Sequence, residues 1–396
     1  MDLLRVATAG SVDDGKSTLI GRLLHDAGAL LSDERAHDFA QLTDGLRAER
    51  EQGITIDVAH RSFATERRRF VLIDCPGHAQ YTRNMLTGAS TADAAVVLVD
   101  VRHGLTRQSR RHLAICALLG LRHVVVCVNK LDLVGWSEEA FDAVARDALE
   151  WTAEMGLSDL AFIPVSALYG DNIVERSASL PWYGGEPLLA HLEALPLDRV
   201  PTGVGARLPV QLVLRDPAGG PRRYAGRLAA GTLAVGDEVL VLPSGARTRI
   251  ARLDMPAGAV DAASAPLSVS VALEDELDVS RGDVLASADA LPSVTRELAA
   301  TVCWLGHDAV APGARLALKH GTRTVPARLD AIDHRLDVET LVRAPANELA
   351  LNDIGRVRLR VGSELAVDAY ADSPATGAFI LIDETTLDTV GAGMVG

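Results

Sequence analysis

The chain has 396 residues, of which 48% are hydrophobic and 23% charged, and its formal net charge is −14. This length predicts two or three domains, and no apolar run reaches the ~18 residues needed to cross a bilayer. The acidic balance argues against a non-specific nucleic-acid binder, although a local basic patch stays open. The N-terminus lacks a signal-peptide pattern, and the four cysteines form no CxxC pair, which together predict a reduced cytoplasm.

The first half of the chain alternates strand patterns with helical patterns. The predicted strands are Leu3–Ala9, Phe70–Asp74, Ala94–Val101, His123–Val128 and Ala161–Val165. The predicted helices are Lys16–Leu24, Arg107–Leu119 and Ser137–Met155. Near-continuous apolar strands separated by helices are typical of a doubly wound α/β domain with a mostly parallel sheet.

The pattern changes after the proline-containing linker Leu195–Pro201. Short strand patterns then alternate with Gly, Pro and Asp turns, and a break near Ala288–Pro292 divides them into two sets. Such punctuation predicts two small β-barrels. The predicted domains are therefore residues 1–198, 199–290 and 291–396.

A phosphate-binding pattern, GxxxxGK[ST], lies between the first predicted strand and helix. It comprises Gly10, Ser11, Val12, Asp13, Asp14, Gly15, Lys16 and Ser17, followed by Thr18. Its glycines let backbone N–H groups surround phosphate oxygens, and the helix N-terminus favours negative charge. We expect Lys16 to reach the β- and γ-phosphates and Ser17 to bind Mg²⁺. A chance glycine-rich turn is the alternative interpretation.

A second polar stretch follows the strand Phe70–Asp74. It consists of Asp74, Cys75, Pro76, Gly77 and His78. Asp74 suits a Mg²⁺ contact through water, Gly77 lets a backbone N–H approach the γ-phosphate, and His78 can position the attacking water. Alone, such a stretch is an ordinary turn, but after a phosphate loop it favours hydrolysis.

A hydroxyl in a charged loop completes the predicted phosphate site. Thr55 ends Gly53-Ile54-Thr55 and follows the charged run Arg47–Gln52. A hydroxyl that binds Mg²⁺ only when a third phosphate is present is what a γ-phosphate switch requires. The predicted catalytic residues are thus His78, Lys16 and Thr55, and the predicted metal ligands are Ser17, Thr55 and Asp74.

Two more motifs predict the base that is bound. They comprise Asn129, Lys130, Leu131 and Asp132, then Ser166, Ala167 and Leu168, each set at a strand end. The two oxygens of Asp132 can accept the N1–H and N2–H₂ donors of guanine, whereas adenine would leave the carboxylate unpaired. Asn129 can hold N7 and O6, the Lys130 stem can cover the base, and the later loop can offer a backbone N–H to O6. The ordered motifs predict a GTPase.

These motifs resemble two related GTPase families. Gly53–Thr55, Asp74–His78 and Asn129–Asp132, with two β-barrels after them, resemble the elongation-factor branch of the EF-Tu type. The chain is more similar to the large subunit of bacterial sulfate adenylyltransferase, the CysN type, in these stretches: Ala7–Leu24, Gln80–Met85, Thr87–Asp93, Gly170–Asn172, Pro181–Tyr183, Leu242–Gly245, Ser280–Asp283, Thr376–Phe379 and Val390–Met394. Ser11, Asp14 and Ser17 depart from the usual EF-Tu loop, whereas Ala79 and Leu131 depart from the usual CysN pattern.

The closer resemblance implies a reaction and a partner. GTP hydrolysis would drive formation of adenosine 5′-phosphosulfate and pyrophosphate from ATP and sulfate, with adenylyl transfer on a separate CysD-type subunit in a heterodimer or higher assembly. Some relatives carry a C-terminal kinase, and without a second GxxxxGK[ST] that activity is expected to be absent here. A monovalent cation at Asp13, as in some relatives, stays open.

Two alternatives also stay open. An elongation-factor GTPase that delivers aminoacyl-tRNA would share the motifs and barrels, and it would bind tRNA in the presence of GTP. A nucleotide switch that has lost hydrolysis would keep the binding motifs, but His78 and Thr55 argue against it.

Overall fold

The computed structural model describes residues 2–27, 55, 57–78, 81–157, 159–197, 203–215, 220–338 and 340–396. The predicted loop Arg47–Gln52, together with Gly53 and Ile54, lies outside the described residues. The chain divides into two compact units, Met1–Leu197 with Val338–Leu341 and Asp198–Asp337 with Val342–Gly396. Where the structure describes the chain, no helix is both long and apolar enough to span a bilayer.

The first unit is built on a mostly parallel sheet. Its strands are β1 (Leu3–Gly10), β2 (Ala59–Ala64), β3 (Arg69–Asp74), β4 (Ala94–Asp100), β5 (His123–Asn129) and β6 (Asp159–Pro164). Their order is β2-β3-β1-β4-β5-β6, with β2 antiparallel to β3 and the other neighbours parallel. Every residue of β4 is buried, which explains why the central strands have continuous apolar patterns.

Helices follow these strands. They are α1 (Lys16–Asp26), α2 (Thr82–Ala89), α3 (Arg107–Leu118), α4 (Glu138–Thr152) and α5 (Leu188–Ala194), with 3₁₀ turns at Leu131–Val134 and Ala153–Met155. Two helices begin at hydroxyl caps, because Thr106 accepts a hydrogen bond from the Ser109 N–H and Ser137 accepts one from the Ala140 N–H.

The strand order places a crevice at the carboxyl ends of the sheet. It reverses at β1, which lies between β3 and β4. Ligands of open α/β sheets bind where the order reverses, outside the carboxyl ends of the strands. The phosphate loop follows β1, Asp74 ends β3, Asp100 ends β4 and Asn129 ends β5. The topology therefore brings polar residues from distant parts of the sequence to one edge.

The second unit begins with short antiparallel strands, which form one large sheet and a separate two-stranded sheet. They are β7 (Arg207–Pro209), β8 (Leu212–Leu214), β9 (Arg223–Arg227), β10 (Thr232–Ala234), β11 (Glu238–Leu242), β12 (Ala246–Met255), β13 (Gly258–Val260), β14 (Ala262–Ser264), β15 (Ser268–Leu273) and β16 (Val284–Ser287). The order of the large sheet is β7-β16-β11-β12-β15-β9-β8, and β10 and β14 form the two-stranded sheet. The first and last strands of the large sheet, β7 and β8, follow each other in the chain, and this gives the sheet barrel character. Leu208, Tyr224 and Val239 lie in its core.

The last part of the chain forms a closed sheet. Its elements are β17 (Ser293–Trp304), β18 (Arg315–His320), β19 (Arg323–Leu336), β20 (Arg343–Ala344), β21 (Ile354–Val367), α6 (Pro374–Gly377), β22 (Ala378–Ile382) and β23 (Thr389–Val395). The order is β18-β22-β23-β17-β21-β19-β20, and a further pairing between β18 and β19 closes it. An α/β domain followed by β-barrels, as predicted, is confirmed, while the boundaries at residues 198 and 290 stay predictions.

A buried ion pair joins β7 to the residue that follows β21. The side chain of Arg207 is 3% exposed, and its Nη2 and Nε lie 3.0 and 3.1 Å from the two oxygens of Asp368. Arg207 Nη1 also donates to the carbonyls of Ala206 and Ala290, and Thr376 Oγ1 donates to Asp368 Oδ2. Because both ions have further hydrogen-bond partners, removing either would leave the other as an uncompensated buried charge.

Candidate nucleotide site

The phosphate loop has a backbone that requires glycine. Gly15 has a φ of +93°, and a Cβ there would lie 2.6 Å from Asn129 Nδ2. A Cβ on Gly77 would lie 2.3 Å from the carbonyl oxygen of Gly10, so the stretch after β3 comes directly against the loop. The Ser11 N–H donates to Asp14 Oδ2 over 2.8 Å, which closes the loop on itself.

Three predicted phosphate-site residues meet in one buried cluster. Lys16 Nζ donates to Thr55 Oγ1 over 2.7 Å and forms an ion pair with Asp74 Oδ1. All three residues are buried. Ser17 follows Lys16 in the first turn of α1 and is half-buried. Hydroxyl and carboxylate oxygens are the donors that Mg²⁺ prefers, so this set of side chains fits that ion.

The residues around this cluster differ in exposure. Gly10, Asp14, Cys75, Pro76 and Gly77 are buried, Thr18 and His78 are half-buried, and Val12 and Asp13 are exposed. The ring of His78 lies 6.1 Å from that of Tyr81. Burial raises the pKa of the Cys75 thiol well above its usual range, with nearby Asp74 adding to the effect. Cys75 is therefore a packing residue under the site and not a nucleophile.

The base motifs are tied to the phosphate loop through Asn129. Its Nδ2 donates to the Asp14 carbonyl over 2.7 Å, and its Oδ1 accepts from the Ala167 N–H over 2.9 Å. Ser166 Oγ donates to Asp132 Oδ1 over 2.7 Å. The structure thus brings both predicted base motifs and the phosphate loop together. Leu131 is buried and Leu168 is 59% exposed.

Two polar residues at this edge, Asp100 and Thr106, were missed by the sequence analysis. Asp100 forms an ion pair with Lys130, and the hydroxyls of Ser11 and Thr106 lie 2.7 Å apart. Thr106 also caps α3, so the phosphate loop is linked to the start of that helix. A carboxylate ending a buried strand was the signal that identified Asp74, and the same signal at Asp100 could have found it.

The buried carboxyl of Asp14 predicts a pH dependence of stability. Burial raises its pKa from 3.8 to about 6, and the charge of Asp100 adds to the rise, against the Ser11 N–H bond that lowers it. A raised folded-state pKa contributes stability below pH 3.8 that is lost as the pH rises through about 6. Replacing Asp14 with neutral Asn should therefore raise the free energy of unfolding at pH 7.5 by about 1–3 kcal/mol.

Denaturant unfolding of the nucleotide-free wild type and Asp14→Asn, measured from pH 4 to pH 8, checks this expectation. The difference in the free energy of unfolding between the two proteins should be near zero at pH 4 and should grow as Asp14 titrates. A difference that does not change with pH would show that the carboxyl is not destabilised by burial.

Comparisons with known proteins cover the whole chain. Residues 1–202 match the family described as the elongation factor Tu GTP binding domain, and residues 297–396 match the GTP-eEF1A C-terminal domain-like family. "Sulfate adenylyltransferase subunit 1" of Methylorubrum extorquens is 48% identical over 100% of this chain and 87% of its own length. "Bifunctional enzyme CysN/CysC" of Mycobacterium tuberculosis is 52% identical over 99% of this chain and 67% of its own length.

Proposed function

Because the chain belongs to the sulfate adenylyltransferase subunit 1 family of elongation-factor-Tu-like GTPases, we propose that it is the GTP-hydrolysing subunit of a sulfate adenylyltransferase. In this proposal, GTP hydrolysis drives the formation of adenosine 5′-phosphosulfate and pyrophosphate from ATP and sulfate. The observation that carries it is the 48% identity to a subunit of that name over the full chain.

The geometry supports a guanine-nucleotide site in this role. The residues proposed to hold GTP form one connected network: the phosphate loop Gly10–Ser17, Asn129 bridging to Asp14 and Ala167, and Asp132 oriented by Ser166. Asp132 keeps a second carboxylate oxygen for the donors of guanine. Because the network spans both ends of a nucleotide, we expect phosphate and base recognition to depend on each other.

The hydrolytic roles belong to the phosphate end. Mg²⁺, when bound, would neutralise developing phosphate charge, and the residues proposed to hold it are Ser17, Thr55 and Asp74. Lys16 supplies a positive charge beside Thr55 and Asp74, and it is the residue proposed to pair with the phosphates. His78 follows directly on Gly77, which touches the loop, and is the residue proposed to orient the attacking water.

The proposal includes a partner. A subunit named as the first of an adenylyltransferase works with another, and we propose that the partner is a CysD-type small subunit that carries adenylyl transfer. A cytoplasmic location is part of the same proposal, since the cysteines in the described part of the chain are buried thiols, as in a reducing compartment.

The test is a coupled assay with the co-purified small subunit. We expect pyrophosphate release to require ATP and sulfate and to rise when GTP is added, and we expect GTP turnover to rise when all three are present. GTP turnover that stays flat with the cognate small subunit would refute the proposal. Turnover stimulated instead by ribosomes, with GTP-dependent binding of aminoacyl-tRNA, would favour the elongation-factor alternative.

A further inference from the structure

Asp100 is a buried carboxylate that belongs to none of the predicted motifs. It ends β4 with 2% of its surface exposed, and its Cα pairs with that of Asn129 at the end of β5. The Val101 N–H donates to the Asn129 carbonyl, so the turn after β4 is fastened to the start of the base motif. Asp100 therefore lies at the same strand edge as the base-recognition residue Asn129.

The carboxylate of Asp100 has charged partners. Lys130 Nζ lies 2.9 Å from Oδ2, and Arg102 contacts both oxygens, with Nη2 at 2.6 Å from Oδ2 and Nε at 3.0 Å from Oδ1. Although burial opposes ionisation, hydrogen bonds from Arg102 and Lys130 hold the pKa of Asp100 well below its usual range. Asp100 is therefore a fixed negative charge at neutral pH.

Lys130 needs such a charge to stay in place. Its backbone has a φ of 65°, a left-handed conformation that is unfavourable for a residue other than glycine. Its ammonium group also donates to the Asp13 carbonyl of the phosphate loop. The ammonium thus lies between the Asp100 carboxylate and the loop backbone. Its positive charge is paired with the negative charge of Asp100.

We propose that Asp100 is a positioning residue for the guanine-nucleotide site, which holds Lys130 against the phosphate loop and thereby slows release of the bound nucleotide. This inference rests on the guanine-nucleotide binding in the proposed function and adds to it a residue that controls the lifetime of the complex. Asp100 acts through Lys130, and its effect should vanish when the Lys130 side chain is removed.

A double-mutant cycle tests this coupling directly. Release of a fluorescent methylanthraniloyl-GDP is followed after mixing with excess GDP, for wild type, Asp100→Asn, Lys130→Ala and the double variant. We expect each single change to speed release about tenfold, because a charge-assisted contact is lost, and the double variant to release no faster than the faster single one. Effects that multiply in the double variant, or an Asp100→Asn rate equal to wild type, would overturn the proposal.

Arg102→Ala is the matched control, because Arg102 contacts the same carboxylate, whereas the contact from that carboxylate to the phosphate loop runs through Lys130. We expect its release rate to stay within about twofold of wild type. A rate as fast as that of Asp100→Asn would mean that Asp100 acts through the turn that follows β4, which contradicts the proposal. If Asp100→Asn fails to fold, Asp100→Ser, which also removes the charge and keeps a polar side chain, replaces it in the cycle with the same expected result.

The release assay contains no partner subunit, ATP or sulfate. Its failure would therefore leave the proposed role in sulfate activation untouched. Conversely, a chain that does not support sulfate activation would still give a clear answer on the coupling of Asp100 and Lys130.

Discussion

Replacing Asp132 with Asn is expected to lower the affinity for GTP by at least about a hundredfold and to create affinity for xanthosine triphosphate. The carboxylate accepts two donors of guanine, whereas an amide presents one acceptor and one donor. Xanthine offers N1–H beside a carbonyl at position 2, which the amide matches. Because Ser166 Oγ donates to only one oxygen of Asp132, the amide oxygen of the variant can keep that contact.

Equilibrium binding of both nucleotides to wild type and variant measures this change. Asp142→Asn is the matched control, since Asp142 is an exposed carboxylate on α4, and it should leave both affinities unaltered. A variant of Asp132 that binds GTP as tightly as wild type would remove this residue from base recognition.

Replacing His78 with Ala is expected to lower the rate constant of GTP hydrolysis by about a hundredfold. The imidazole is proposed to orient the attacking water, and no contact with the nucleotide itself is assigned to it. The equilibrium affinity for GTP should therefore stay within about threefold of wild type. Single-turnover hydrolysis and nucleotide binding, measured on the same preparation, separate the two effects.

The control for His78 is His307→Ala, which removes an exposed histidine of the second unit and should leave hydrolysis unchanged. Turnover of His78→Ala equal to wild type would exclude the side chain from the mechanism. A parallel loss of affinity and turnover would instead indicate that His78 supports the fold of the stretch after β3.

The sequence predicted the fold because its signals are local. The apolar run of β4 and the glycine-lysine spacing before α1 each depend on residues close together in the chain. Elements without such a signal were missed: α2 has eight residues, and β23 contains two glycines that weaken a strand pattern. The closure of the last sheet depends on pairing between β18 and β19 as well as on the distant β22, which periodicity does not encode.

The residues of the candidate site likewise divide into those with a local sequence signal and those without one. Motif spacing predicted Lys16, Asp74 and Asn129, because each follows or ends a strand in a known pattern. The contact between Ser11 and Thr106 spans 95 residues, and the ion pair between Asp100 and Lys130 joins the ends of two neighbouring strands. Such contacts depend on which strand ends become neighbours, and that order is a property of the folded sheet.

The ion pair between Arg207 and Asp368 has a consequence for anyone who cuts or recombines this protein. Its partners lie on either side of the predicted boundary at residue 290. A fragment that ends there would retain Arg207 without Asp368. A chimaera that takes only one barrel from this protein would likewise carry one residue of the pair without the other. We expect the exchangeable module to begin where the second compact unit begins, at Asp198, so library crossovers belong before that residue and not between the barrels.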